Sequence, residues 1–180
     1  MCAPIALPGA GLWIRRLLIT LVVVAVLLAL LLVPGGTPAF ETGMRAYDRG
    51  DYAEAADAWR PLAESGQTDA QFQMGNLYRG GLGVARDYAD AARWYRRAAR
   101  QGHAMAQFDL GHFYANAWGV ARDPAQAYKW YRLASVGLPS GRFRQEARAH
   151  AERLLAELPP RRQQALQAEV KRWTPSEGSD

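Results

Sequence analysis

The feature that most constrains this chain is a repeat. Residues 70–99 read AQFQMGNLYRGGLGVARDYADAARWYRRAA, and residues 106–135 read AQFDLGHFYANAWGVARDPAQAYKWYRLAS. The offset is 36 residues, and 16 of the 30 positions are identical without a gap. Self-similarity of that period marks one supersecondary unit, duplicated and stacked on its copy. Neither copy buries its apolar face alone, so the two must pack side by side.

Each unit reads as two helices. Ala70, Met74 and Tyr78 fall at i, i+4 and i+8, one stripe of a helix, with Gly75 beside them for close approach of a neighbour. Gly80-Gly81-Leu82-Gly83-Val84 breaks the period and predicts the loop. Asp87 stands where a carboxylate caps the first turn of the second helix, and Gly102 where a C′ glycine ends it. Between them Ala91, Tyr95 and Ala98 make the inward stripe, with Trp94 flanking it. The second unit repeats the plan through Leu110, Gly111 and Tyr114, then Gly119-Val120, Asp123-Pro124, Ala127, Trp130, Tyr131 and Ala134. Proline suits the first helical turn, whose N–H groups have no partner within the helix.

Upstream, Gly43, Gly50-Asp51-Tyr52, Ala55 and Trp59 have the spacing of a tetratricopeptide repeat, with a loop about four residues shorter than in the later units. The shared pattern AQxxxGxxYxxxxGVxxDxxxAxxWYxxA resembles the Sel1-like repeat, a relative of the tetratricopeptide repeat with a longer interhelical loop. The resemblance covers about residues 40–138, in units 40–66, 67–102 and 103–138. Ala117-Trp118 replace Gly81-Leu82 in the last loop, and Gly137 comes one position early relative to Gly102, as befits a terminal unit. After Pro139-Ser140-Gly141, two further helices over about 143–158 and 161–173 are expected to cap the stack, with 174–180 a disordered tail. The fold class that follows is all-α: a short α-solenoid of helix pairs with a C-terminal helical cap.

Residues 1–39 read as an address. Leu17–Val33 is an uncharged apolar run preceded by Arg15-Arg16, spanning roughly 25 Å as a helix, and Thr37-Pro38-Ala39 offers small residues for cleavage. Signal peptide and retained membrane anchor are both open readings. Either way the positive-inside rule places the rest of the chain outside, at the periplasmic side of the inner membrane in a bacterium.

The formal charge of +5 raises a nucleic-acid partner. Residues 40–141, however, carry 12 basic and 11 acidic side chains, and the excess falls in 142–172, with eight against four. A balanced body with a basic end speaks against DNA or RNA, because phosphate binding needs a concentrated basic face. The chain is expected to be a monomer.

Nothing in the sequence composes an active site. The histidines His103, His112 and His150 include no i, i+4 pair, and the sole cysteine, Cys2, precedes the apolar run. Asp109 and His112 share a helix face and read as a polar surface pair. The glycines at 80–83 lack a following Gly-Lys-Ser/Thr, and Ser140 lies in GLPSGR, which is no nucleophile elbow. No enzyme, cofactor or metal is therefore expected. Some relatives of this repeat act as hydrolases on cell-wall or β-lactam-like substrates, but those are disulfide-rich. The resemblance implies instead an adaptor or scaffold binding a protein or peptide, free or tethered to the membrane as an assembly factor. In tetratricopeptide-like stacks the first helix of each pair lines the binding face, and the positions there away from the packing stripe are Phe72, Asn76, Arg79, Phe108, His112 and Asn116.

Overall fold

The computed structural model describes residues 38–176, and the apolar run 17–33 lies outside them. Eight helices follow in order: α1 (Pro38–Arg49), α2 (Tyr52–Glu64), α3 (Thr68–Gly80), α4 (Tyr88–Arg100), α5 (Ala104–Asn116), α6 (Pro124–Gly137), α7 (Arg142–Ala156) and α8 (Pro160–Arg172). No strand occurs among the described residues. Consecutive helices pack from α1 through α7, and α8 returns to lie on α6. The arrangement is a solenoid of three helical hairpins, α1/α2, α3/α4 and α5/α6, followed by two further helices. Among the described residues, no helix is long and apolar enough to cross a membrane.

The hairpins close on a contact between a glycine and an aromatic ring. Gly75 on α3 and Gly111 on α5 lie against Tyr95 on α4 and Tyr131 on α6, so closely that a Cβ would stand 2.6 Å and 2.8 Å from the rings. In the first hairpin Gly43 receives Trp59 in the same way. Trp59, Tyr95 and Tyr131 are all essentially buried. Without the glycines the paired helices would have to move apart, with loss of dispersion contact along the whole seam.

The loops then tie one hairpin to the previous one. Gly83 and Gly119 adopt left-handed φ values of 66° and 62°, and each lies on the backbone of the preceding second helix, at Tyr52 and Tyr88. A Cβ there would fall 2.3 Å and 2.2 Å from a backbone carbonyl carbon, so both conformation and space require glycine. Asp87 and Asp123 cap α4 and α6 as the sequence predicts, each accepting two backbone N–H bonds at 2.7–3.0 Å. Two buried glutamines make the remaining link between units. Gln71 and Gln107 donate from Nε2 at 3.1 Å to the carbonyls of Ala63 and Ala99 near the end of the preceding helix, each of which also accepts a backbone N–H, from Gly66 and Gly102.

The end of the chain departs from expectation. Trp173 packs on the core formed by α4, α5 and α6. Thr174–Ser176, expected to be disordered, run back to α4, where Ser176 donates its backbone N–H to the Arg100 carbonyl at 2.9 Å. Pro175 lies near Gly102, 3.4 Å from where a Cβ would be. Residues 177–180 lie outside the described part.

Two substitutions test this account by thermal or urea unfolding. Gly75→Ala is expected to destabilise by about 1–2 kcal/mol, because overpacking against the immobile Tyr95 outweighs the gain in helix propensity. Ala117 holds the left-handed position that Gly81 fills in the preceding unit, with φ 58°. Ala117→Gly is therefore expected to stabilise by about 0.5–1 kcal/mol, the reverse of the usual effect of a glycine.

Candidate functional site

The six positions on the first helices do not form one uniform strip. Phe72 is half-buried, stacked on His103 with centroids 4.4 Å apart and leaning on Tyr95 at 5.9 Å. Phe108, its counterpart in the next unit, is 5% exposed and enclosed by His112, Tyr131 and Phe143. The difference lies in what stacks next: α7 covers Phe108, whereas a histidine at the start of α5 covers Phe72. Phe108 is thus a core residue, and Phe72 presents part of its ring.

Asn76 and His112 also occupy equivalent places, and both serve the seam. The Tyr95 hydroxyl donates to Asn76 Oδ1 at 2.8 Å. The Tyr131 hydroxyl pairs with His112 Nδ1 at the same 2.8 Å. Burial pushes both phenols well above their usual range, so each hydroxyl keeps its proton and remains a donor. In the second pair the direction follows the His112 tautomer, and with Nδ1 unprotonated the Tyr131 hydroxyl donates to it. Burial, helped by the neighbouring His150 ring at 5.2 Å, lowers the His112 pKa from 6.5 and favours that neutral form.

Arg79 and Asp109 bridge the two first helices at 3.3 Å. The sequence reading of Asp109 and His112 as a surface pair is corrected here. Asp109 is 8% exposed and turned to Arg79, while His112 is turned to Tyr131. Burial raises the Asp109 carboxyl from 3.8 to about 6 against the opposing pull of Arg79. Asn116 is exposed, and its amide only donates back to the His112 carbonyl at 2.9 Å. After packing, the first-helix face therefore offers Asn116, the part of Arg79 not held by Asp109, and the edges of Phe72, Asn76 and His112.

A second concavity was not legible in the repeat. A groove of about 820 Å³ opens between α4 and α6, bordered by Arg96, Arg97, Arg100, Lys129, Trp130 and the returning chain end. None of the six first-helix positions lines it. Trp94 and Trp130 are buried, as their fixed place in the repeat predicts. Among the described residues, no cluster of three or more His, Cys, Asp or Glu is arranged to hold a metal ion.

These hairpins, with their glycine-seated aromatics and left-handed loop glycines, define a short α-solenoid of the repeat class that binds other proteins. Residues 68–103 and 104–135 each match the Sel1 repeat, so the chain carries two Sel1 repeats. Two solved structures share its fold. One is a protective antigen present in uropathogenic Escherichia coli strains and displaying an SLR fold, 26% identical with a TM-score of 0.66. That match covers 78% of this chain and 30% of the antigen. The other is a Sel1 repeat protein from Oxalobacter formigenes, 27% identical with a TM-score of 0.57, covering 76% of this chain and 58% of that one. The chain thus spans less than two thirds of either neighbour. No curated protein matches it at a significant level. Proteins with Sel1 repeats are in general interaction adaptors, and the family is typically non-catalytic.

The His112–Tyr131 pair carries a pH dependence that its Asn76–Tyr95 counterpart lacks. A histidine whose folded pKa is lowered gives stability that is full above 6.5 and declines as pH falls below it, because the unfolded chain takes up the proton more readily. His112→Asn installs the acceptor used one unit earlier. Melting curves from pH 7.5 to 5 are expected to show a shallower acid loss in the variant than in the parent; parallel curves would remove His112 from this account.

Proposed function

We propose that this chain is a non-catalytic adaptor that holds a protein or peptide partner on the face of its first helices, α3 and α5. The observation that carries the reading is the division between positions the two units share and positions where they differ. Shared residues pack: Gly75 and Gly111, Tyr95 and Tyr131, Gln71 and Gln107 are all buried. Of the differing residues on the first helices, Arg79 opposite Ala115 and Asn116 opposite Gly80 reach the surface, while the pairs Met74/Leu110 and Leu77/Phe113 stay apolar and buried and Asp109 is buried against Arg79. A stack so built keeps its scaffold while the outward chemistry varies, which is how repeat proteins acquire partners.

The same proposal sets the adaptor on the periplasmic side of a bacterial inner membrane, as a cleaved or a tethered protein. Its support is in the sequence, where Arg15-Arg16 precede the uncharged run Leu17–Val33.

Photocrosslinking in cells tests the face. A benzophenone side chain in place of Asn116 or Arg79 in the full chain is expected to give a discrete adduct. The same group at Arg93, exposed on α4, is expected to give none. Adducts from Arg93 alone would move the interface to the second helices and overturn the reading.

A further inference from the structure

Helix α7 closes the stack, and it rests on the last hairpin through two imidazoles. The His150 ring of α7 is stacked on Tyr131 of α6, with centroids 4.9 Å apart and planes 17° from parallel. It also meets His112 of α5 at 5.2 Å, nearly edge to face. Beside this pair Phe143 closes on Phe108 at 5.8 Å, and Ala147, Ala151 and Leu154 form the buried stripe of α7.

Both imidazoles face a donor at Nδ1. An Arg153 Nη lies 2.6 Å from His150 Nδ1, and because a guanidinium only donates, that nitrogen carries its lone pair. The Tyr131 hydroxyl lies 2.8 Å from His112 Nδ1 and donates to it when the ring is neutral. A proton added at His150 Nδ1 turns the acceptor into a second donor and sets an imidazolium against the Arg153 cation. A proton added at His112 Nδ1 forces the hydroxyl to reverse and brings a second charge beside the first.

The other charged groups facing the pair come from α3, α5 and α7. Arg79 of α3 disfavours a charge on His112, whereas Glu146 of α7 favours a charge on both rings and is itself paired with Arg142 at 2.7 Å. Burial foremost, followed by His150 for His112 and by Arg153 for His150, lowers both pKa values from 6.5. Docking of α7 is therefore at full strength above 6.5 and weakens as pH falls, since the open state takes up the protons more readily. Asp109 of α5 titrates in the opposite sense, raised to about 6 by burial, but its partner Arg79 places it at the junction of α3 and α5. In the preceding seam the place of His112 is held by Asn76, which does not titrate.

We propose that α7 is a pH-released cap: neutral His112 and His150 hold it on the last hairpin, and mild acid, by charging the two rings, raises the fraction of molecules in which it is lifted and Phe108 and Tyr131 are uncovered. A histidine pair at one junction makes the opening local, while the rest of the solenoid stays closed. Lifted, α7 leaves Phe108 presenting its ring as Phe72 does. The proposal concerns the cap alone and is independent of whether α3 and α5 hold a partner.

Hydrogen exchange read by mass spectrometry tests it, on the full chain in detergent micelles at pH 7.5 and 5.5, corrected for the intrinsic rate at each pH. One proton taken up on opening changes the open fraction about tenfold per pH unit, so the protection of α7 amides is expected to fall about tenfold between the two conditions. That of α1 and α2, which contain no histidine, is expected to hold. His112→Asn/His150→Gln supplies neutral acceptors to Tyr131 and Arg153, and is expected to keep α7 equally protected at both pH values. Arg153→Gln leaves both rings in place and removes the facing cation, so its loss is expected to shrink to about threefold. A tenfold loss retained in either variant, unchanged protection of α7 in the parent, or a parallel fall in α1 and α2 would overturn the proposal.

Discussion

The spacing of every hairpin depends on a glycine in the first helix receiving an aromatic ring from the second. Gly75 under Tyr95 and Gly111 under Tyr131 bring each helix pair to the distance at which the alanine stripes meet. Alanine is then the fitting residue for those stripes, because a larger side chain has no volume to enter. The buried tyrosine creates an obligation of its own, a hydroxyl that must find an acceptor inside the seam. Asn76 and His112, each one residue past the glycine, supply it. One small residue thus determines the packing distance, the size of the core side chains and the polar partner beside them.

Stacking of the hairpins uses polar chemistry with equal economy. Gln71 and Gln107 add a second donor to a carbonyl at a helix end, and Gln101 reaches back across the unit boundary to the Gly66 carbonyl at 3.1 Å. Arg60 and Arg96 each meet a tyrosine of the following first helix, Tyr78 and Tyr114. The links of Gln71 and Gln107, and of Arg60 and Arg96, recur at the 36-residue offset, whereas Gly137 stands one unit after Gln101 and makes no such link. At the last junction the register changes. Phe143 and His150 on α7 cover Phe108 and Tyr131, and no later unit meets them among the described residues. The outer face of α7 is laced by ion pairs one helical turn apart, Arg142–Glu146 and Arg148–Glu152, which keep the end of the stack hydrated. Those pairs are neutral, and the basic excess of this region falls on other exposed side chains, Arg153, Arg161, Arg162, Lys171 and Arg172.

Two surfaces of the stack differ in kind. The first-helix face is uncharged or singly charged at each position and varies between units. The α4/α6 groove is bordered by arginines and by Lys129, which is paired with Glu169 at 2.7 Å, and Trp173, Thr174 and Ser176 of the chain's own end line part of it.

The sequence alone determined everything that recurs at short range. The 36-residue period, the caps at Asp87 and Asp123, the breaks at Gly83 and Gly119 and the burial of Tyr95 and Trp130 each depend on residues within one unit, whose spacing is printed in the chain. The buried glutamines were also visible in the repeated Ala-Gln pair, although their role required the preceding helix end to be seen. What only the tertiary structure decided is what each unit meets beyond itself. Phe72 and Phe108 are identical in the repeat, yet one keeps an open edge and the other is closed over by α7. Asp109 turns to Arg79, 30 residues away, and Ser176 turns to Arg100. Periodicity specifies the faces of a helix, but the neighbour that covers a face comes from distant chain, and no local pattern carries that information.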